Sequence, residues 1–148
     1  MVSTLTDHTG YWLRMSSNAV SHGFAQALQS EDVTVAEWCL LRTLYDHDRL
    51  SPSALADAMG MTKGAISKLA ERLLAKDLVA RLDNPDDRRA HSLSLTATGR
   101  AKTPRLAALA DHNDAAFFSV LSDDEQATLL TLLRALAQRR GLTAPPTV

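Results

Sequence analysis

The sequence predicts a mainly α-helical fold with one small β-hairpin between its fourth and fifth helices. Three observations predict it. Apolar residues recur at helical spacing through most of the chain, which has only 6 Gly and 5 Pro in 148 residues. A short capped helix, a glycine-containing turn and a second capped helix follow one another between Ser51 and Ala75. Two short segments, 78–82 and 91–96, then turn strand-like on either side of a polar stretch.

The first helix spans 11–29, where Val20, Phe24 and Leu28 form one apolar stripe and Tyr11, Trp12 and Met15 add bulk near the start. The second begins at Thr34, because Thr34 and Glu37 have the spacing of a capping box. Trp38, Leu41, Leu44 and Tyr45 carry it to about Asp46, and 47–50 reads as a polar break. The third helix is 52–59. Ser51 is its N-cap, Pro52 takes the first position, where a missing N–H costs nothing, and Gly60 ends it. Leu55, Ala56 and Met59 are its inner side.

Thr62 caps the fourth helix, which runs to about Ala75. Ile66, Leu69, Ala70 and Leu73 share one face, and Gly64, Ser67, Lys68 and Glu71 the opposite one. The hairpin follows, with 83–89 expected as an extended polar loop at its tip. A fifth helix resumes at about Ala97 and is expected to pass Val120, with Pro104 bending it or dividing its first turns. Ser122 and Glu125 form a second capping box, opening a helix over 123–139 that carries Leu129, Leu132, Leu133 and Leu136. Residues 141–148, with Pro145 and Pro146, are expected to form a flexible tail.

Charge is unevenly spread. The net charge is −1, yet residues 61–102 hold 9 Lys+Arg against 5 Asp+Glu, whereas 1–60 hold 3 against 7. Positive charge concentrated in the middle third suits local contact with a polyanion. The single cysteine, Cys39, excludes an internal disulfide and the paired-cysteine zinc modules. The first residues lack the basic and apolar regions of a signal peptide, and no apolar run approaches a membrane span. A soluble, cytoplasmic protein without a membrane partner is therefore expected.

The segment Ser51–Leu69, followed by Asp87-Arg88-Arg89 and then Leu95-Thr96-Ala97-Thr98-Gly99, resembles the MarR family of multiple antibiotic resistance regulators. The family's wing signature is similar to Asp-x-Arg followed by Leu-Thr-x-x-Gly. Asp77 departs from the pattern, since the family often has glycine before the first wing strand, and this puts the local turn in doubt. The resemblance implies a winged helix-turn-helix core over 34–96, with dimerisation helices over 10–30 and 97–140. It implies a sequence-specific DNA-binding transcription regulator, a repressor by family habit, that binds an inverted-repeat operator as a homodimer. No cofactor and no catalytic residue are implied.

Within that frame the exposed side of 62–75 is the expected reading surface, since a helix fits the major groove of double-stranded DNA. Ser67 and Lys68 suit base edges, Thr62 and Lys63 suit phosphate, and Gly64 lets the backbone come close. Arg72, one turn on, reaches phosphate or pairs with an acid, and Ser51 joins the same contact set. By resemblance, Arg89 enters the minor groove, Asp87 braces the hairpin tip and Arg88 meets phosphate.

Family members often release DNA on binding a small aromatic compound. Trp12, Met15, Trp38 and Arg42 are the candidates for such a pocket, against the plainer reading that they are core. Cys39 reads as a structural thiol rather than an oxidant sensor. His112, with Asp111 and Asp114, does not make a recognisable metal set, so no metal is expected. Two other classes compete. An enzyme lacks support, because no Gly-rich phosphate loop, zinc-protease signature or serine elbow is present. A winged-helix interaction module without DNA binding has no use for the polar, basic face of the fourth helix.

Overall fold

The computed structural model describes residues 1–147, and the side chains of 87–89 are not among what it describes. A 3₁₀ turn, Leu5–Asp7, leads into α1 (Thr9–Gln29), α2 (Val35–Tyr45), α3 (Pro52–Met59) and α4 (Lys63–Ala75). The hairpin is β1 (Val79–Asn84) and β2 (Asp87–Leu95), and α5 (Ala97–Phe118) and α6 (Asp123–Arg139) complete the chain.

The helix starts are fixed locally, as the sequence predicts. The Thr34 hydroxyl accepts from the Glu37 N–H at 3.1 Å while Glu37 accepts from the Thr34 N–H at 3.2 Å. Ser51 accepts from the Ala54 N–H and Thr62 from the Ala65 N–H, both at 3.1 Å. Ser122 and Glu125 exchange the same pair of bonds at the start of α6. Each cap satisfies N–H groups that have no partner inside the helix. Gly60 closes α3 at φ +62°, a conformation that costs glycine nothing.

Four expectations need correction. The polar stretch 83–89 is not a loop; only Pro85 and Asp86 lie between the strands. Backbone pairing continues past the apolar residues to Asn84 and Asp87, with a register shift after Asp83. Ladder bonds satisfy peptide groups whatever the side chains are, so the loss of apolar alternation marks where the hairpin leaves the core, not where it ends. The polar break at 47–50 ends in a third short strand contact. Leu50 exchanges backbone hydrogen bonds with Leu93 at 3.0 and 2.8 Å. α5 stops at Phe118, short of Val120, and continues through Pro104 without dividing. The turn at Leu5–Asp7, held by the Thr4 N–H donating to Asp7 at 2.8 Å, lay outside every expected element.

The doubtful turn at Asp77 adopts φ +58°, the left-handed conformation that glycine would take most easily. Its carbonyl accepts from the Thr96 hydroxyl at 2.7 Å, and the same oxygen of Thr96 accepts from the Gly99 N–H at 3.0 Å. Gly99 packs directly on the Leu78 carbonyl, leaving no room for a Cβ. The Leu-Thr-x-x-Gly segment is therefore a joint: it seats the start of α5 on the start of β1.

The core lies under this joint. Leu28 on α1, Leu40, Leu41 and Leu44 on α2, Leu55 and Met59 on α3, Ile66, Leu69 and Leu73 on α4, Val79 and Leu93 on the hairpin and Leu106 on α5 are all buried. α1 packs along α5 through its second half, where the Asn113 amide donates to the Val20 carbonyl at 3.1 Å. α6 buries none of its residues and lays no face against another element. Beyond Gly141 the chain forms no helix or strand through Thr147; Ala144 lies against Gly60, and the Cys39 thiol donates to the Pro146 carbonyl at 3.5 Å. No helix among the described residues is long and apolar enough to cross a membrane.

Candidate nucleic-acid interface

α3 and α4 pack against each other, with the C-cap Gly60 and the N-cap Thr62 between them setting where α4 starts. The inner face of α4, Ile66, Leu69, Ala70 and Leu73, is at most 4% exposed. Its other face carries Lys63, Gly64, Ser67, Lys68, Glu71 and Arg72, all exposed. Thr62 is exposed at the helix start with its hydroxyl accepting a backbone bond, which leaves the O–H free to donate outward. Ser51 caps the neighbouring helix and is half-buried. Six of the expected contact residues, Thr62, Lys63, Gly64, Ser67, Lys68 and Arg72, are thus brought onto one accessible surface.

The structure sorts the cations of the middle third into two groups. Lys76 binds Glu37 at 2.9 Å, Lys102 meets Glu31 at 3.6 Å, and Arg105 in the following segment meets Glu31 at 2.8 Å. Those charges are spent on the acidic first third of the chain, and the cleft that Lys76, Lys102 and Arg105 line with Asp32 is accordingly close to neutral. Lys63, Lys68 and Arg72 form no ion pair among the described residues. Lys63, Lys68 and Arg72 thus leave unneutralised positive charge on the outer face of α4, beside Glu71, where a polyanion can use it.

Gly64 supports the same conclusion. It lies inside α4, and an added Cβ would meet only the Thr62 hydroxyl oxygen, at 3.9 Å. It is the second residue of the helix, and no clash within the chain requires glycine there.

The hairpin carries Asp87, Arg88 and Arg89 at the start of β2, next to the turn. Their side chains, and with them the expected bracing and groove contacts, lie outside the described residues. Two exposed cations were missed by the sequence reading, Arg81 on β1 and Arg49 just before the Leu50–Leu93 contact. Strand alternation offered a signal for Arg81. Arg49 had none, because the strand contact beside it pairs residues far apart in sequence.

The four effector candidates do not share a cleft within one chain. Trp12 and Met15 stand exposed on the first half of α1, and the Trp12 indole N–H donates to the Thr6 carbonyl at 3.0 Å. Trp38 packs edge-on against Phe24 at 6.3 Å, and Arg42 pairs with Asp46 at 2.8 Å on α2. Cys39 is half-buried, and burial pushes its thiol up from the ordinary range, which disfavours the reactive thiolate. Among the described residues no three His, Cys, Asp or Glu side chains converge on a point that would hold a metal ion.

A helix-turn-helix with a bare basic outer helix, backed by a hairpin bonded to the same core, defines a winged-helix DNA-binding protein. Comparison with known proteins makes this specific. Residues 31–90 match the sequence profile of the MarR family. A protein of Thauera aromatica assigned to transcriptional regulation of the hcr operon is 32% identical over 141 residues, covering 95% of this chain and 85% of the relative. The crystal structure of a MarR mutant from Escherichia coli complexed with operator DNA superposes with a TM-score of 0.75 at 26% identity, covering 86% of this chain and 91% of that one. A structure of BpsR from Bordetella bronchiseptica, whose DNA binding is regulated by 6-hydroxynicotinic acid, gives 0.78 at 25% identity over 93% and 98%. The chain belongs to the MarR family and is a DNA-binding transcriptional regulator; the family is one of regulators, not of enzymes.

Proposed function

We propose that the protein represses transcription in the cytoplasm by binding an inverted-repeat operator as a symmetric homodimer. α4 enters the major groove, with Ser67 and Lys68 on base edges and Gly64 allowing the close approach. Thr62, Lys63 and Arg72 hold phosphates, with Ser51 behind them at the start of α3. At the hairpin Arg89 enters the minor groove, Arg88 meets phosphate and Asp87 braces the turn. The observation that carries this reading is the outer face of α4, where Lys63, Lys68 and Arg72 have no carboxylate partner among the described residues.

Trp12, Leu13 and Met15 on α1 and Leu130, Leu132, Leu133 and Leu136 on α6 are exposed apolar groups of a size that water disfavours. A second copy covering them places two reading helices about 34 Å apart, one turn of DNA. A small aromatic effector then binds where Trp12 and Met15 of one copy approach Trp38 and Arg42, changing the spacing of the lobes. The comparison with BpsR supports a ligand of that kind.

The test is selection of bound duplexes from a randomised pool. The wild-type protein is expected to enrich an inverted repeat; Ser67→Ala or Lys68→Ala is expected to change the enriched sequence. Arg89→Ala is expected to weaken binding by about 1–3 kcal/mol without changing the mass in solution. An enriched sequence unaltered in both α4 variants would remove α4 as the reader.

A further inference from the structure

The last turn of α4 is held by a charged side chain buried as deeply as the core. Glu37 is 1% exposed, and both of its carboxylate oxygens are engaged. Oε1 accepts from the Thr34 N–H at 3.2 Å, completing the cap of α2. Oε2 accepts from the Lys76 ammonium at 2.9 Å. Lys76 is the C-cap residue of α4, and its ammonium also donates to the Asp32 carbonyl at 2.6 Å. The loop after α1, the first turn of α2 and the last turn of α4 therefore meet on one ammonium group.

An arrangement of this kind adds little net stability, because desolvating both charges offsets most of their attraction. It constrains geometry, because one ammonium must stay within hydrogen-bond reach of two elements at once, at 2.6 and 2.9 Å. The rest of the α4 interface is Ile66, Leu69, Ala70 and Leu73. Burial of such residues is non-directional and gives the last turn no hydrogen-bonded point of attachment to α2. Lys76 is nine residues beyond Ser67, about 13 Å along a helix, so it touches none of the bases that Ser67 reaches. Its charge counts in the basic middle third of the sequence but is turned inward.

We infer that Glu37 and Lys76 are positioning residues for DNA recognition: their ion pair fixes the rotation of α4 about its axis and so decides which bases Ser67 and Lys68 meet. The inference rests on α4 being the reading helix. It assigns to Glu37 a second role beyond the cap of its own helix, and to Lys76 a role in selectivity without contact to DNA.

The experiment compares affinity for the duplex selected by the wild-type protein with affinity for a scrambled duplex of equal length, at one salt concentration. Solution mass and melting temperature are measured alongside. Glu37→Gln offers one oxygen in place of two, so either the cap or the bond to Lys76 is lost. Its selected-to-scrambled ratio is expected to fall about tenfold, the worth of one base contact displaced, while affinity for the scrambled duplex stays unchanged. Lys76→Met is expected to do the same, and Lys76→Arg, which keeps the charge but presents a planar fork in place of an ammonium, to retain more of the ratio than Lys76→Met. If Lys76→Met does not fold, Glu37→Gln decides alone. A ratio unchanged in a variant that melts well above the assay temperature overturns the inference. So does a loss shared equally by both duplexes, which is the mark of a merely structural role. If Ser67→Ala and Lys68→Ala alter the selected sequence but Glu37→Gln keeps the ratio, the positioning role fails while the reading by α4 stands. If neither set has any effect, both fail.

Discussion

The winged-helix lobe and the two ends of the chain obey opposite rules. Every buried hydrophobic residue lies between Leu28 and Leu106, and every exposed large hydrophobic among the described residues lies at or before Met15 or at or after Val120. The lobe has satisfied its apolar surface within one chain. The ends have the same taste for leucine and nowhere to put it: α6 carries Leu130, Leu132, Leu133 and Leu136 at 37–62% exposure. Burial is the main driving force for folding and association alike, so the chemistry that builds a core in one region suits an interface in the other. On the proposed reading the lobe meets DNA and the exposed ends carry the second copy.

That division predicts different failures for changes in each region. The largest is expected inside the lobe, where the start of α5 is seated on the start of β1. Gly99→Ala drives a methyl into the Leu78 carbonyl, and neither the start of α5 nor the start of β1 is free to move, because Thr96 bonds to both Asp77 and Gly99. A loss of more than about 3 kcal/mol is expected in urea unfolding, at the upper end for overpacking. A loss under about 1 kcal/mol would show the joint to be pliable. Next, Leu132→Asp with Leu136→Asp is expected to cost the dimer about 2 kcal/mol or more while leaving the folded lobe intact. Light scattering should find a monomer, and circular dichroism an unchanged helix content. A stable dimer with both substitutions would place the partner elsewhere.

What could be read from the sequence follows the range of the interactions. The caps at Thr34, Ser51, Thr62 and Ser122 were legible because each joins residues three apart. The faces of α4 were legible because helical periodicity assigns them. The bridge from Leu50 to Leu93, the contact of Gly99 with Leu78 and the bond of Lys76 to Glu37 join segments 21 to 43 residues apart, and no local pattern announces them. The same limit applies to charge. Lys68, Arg72 and Lys76 look alike on one helix until the structure shows Glu37 opposite only the last. Trp12 and Trp38 were grouped by chemistry alone, and one chain keeps them apart.

A smaller change separates folding from reading within the lobe itself. Gly64→Ala meets no clash in the first turn of α4, so a gain of about 0.5 kcal/mol is expected, chiefly from the reduced freedom of the unfolded chain. Operator binding should weaken in the same variant, by about tenfold if one phosphate or base approach is blocked, measured as a gel-shift midpoint. Binding as tight as wild type would mean that the surface at Gly64 never closes on DNA. Asp77→Gly should act on stability alone. The left-handed conformation costs aspartate roughly 1 kcal/mol, and the extra freedom of unfolded glycine takes back about half, so a gain near 0.5 kcal/mol is expected.

The smallest effect probes the contact that ties the α1–α2 loop to α5. Glu31, in the loop after α1, accepts from Arg105 of α5 at 2.8 Å and faces Lys102 at 3.6 Å. The hydrogen bond from Arg105 is the main cause holding its carboxyl below the ordinary 4.5, with the charges of Arg105 and Lys102 adding to it and partial burial opposing it. A carboxyl depressed in the folded state binds its proton more weakly there than in the unfolded chain. Its contribution to stability is therefore complete above the ordinary value and disappears as pH falls through the folded one. The difference in melting temperature between the wild type and Glu31→Gln should be small at neutral pH, because the pair is near the surface and screened by salt. It should vanish in acid below that depressed value. A difference that survives there would have to come from packing of the Glu31 stem, and the tie between the α1–α2 loop and α5 would then be apolar rather than ionic.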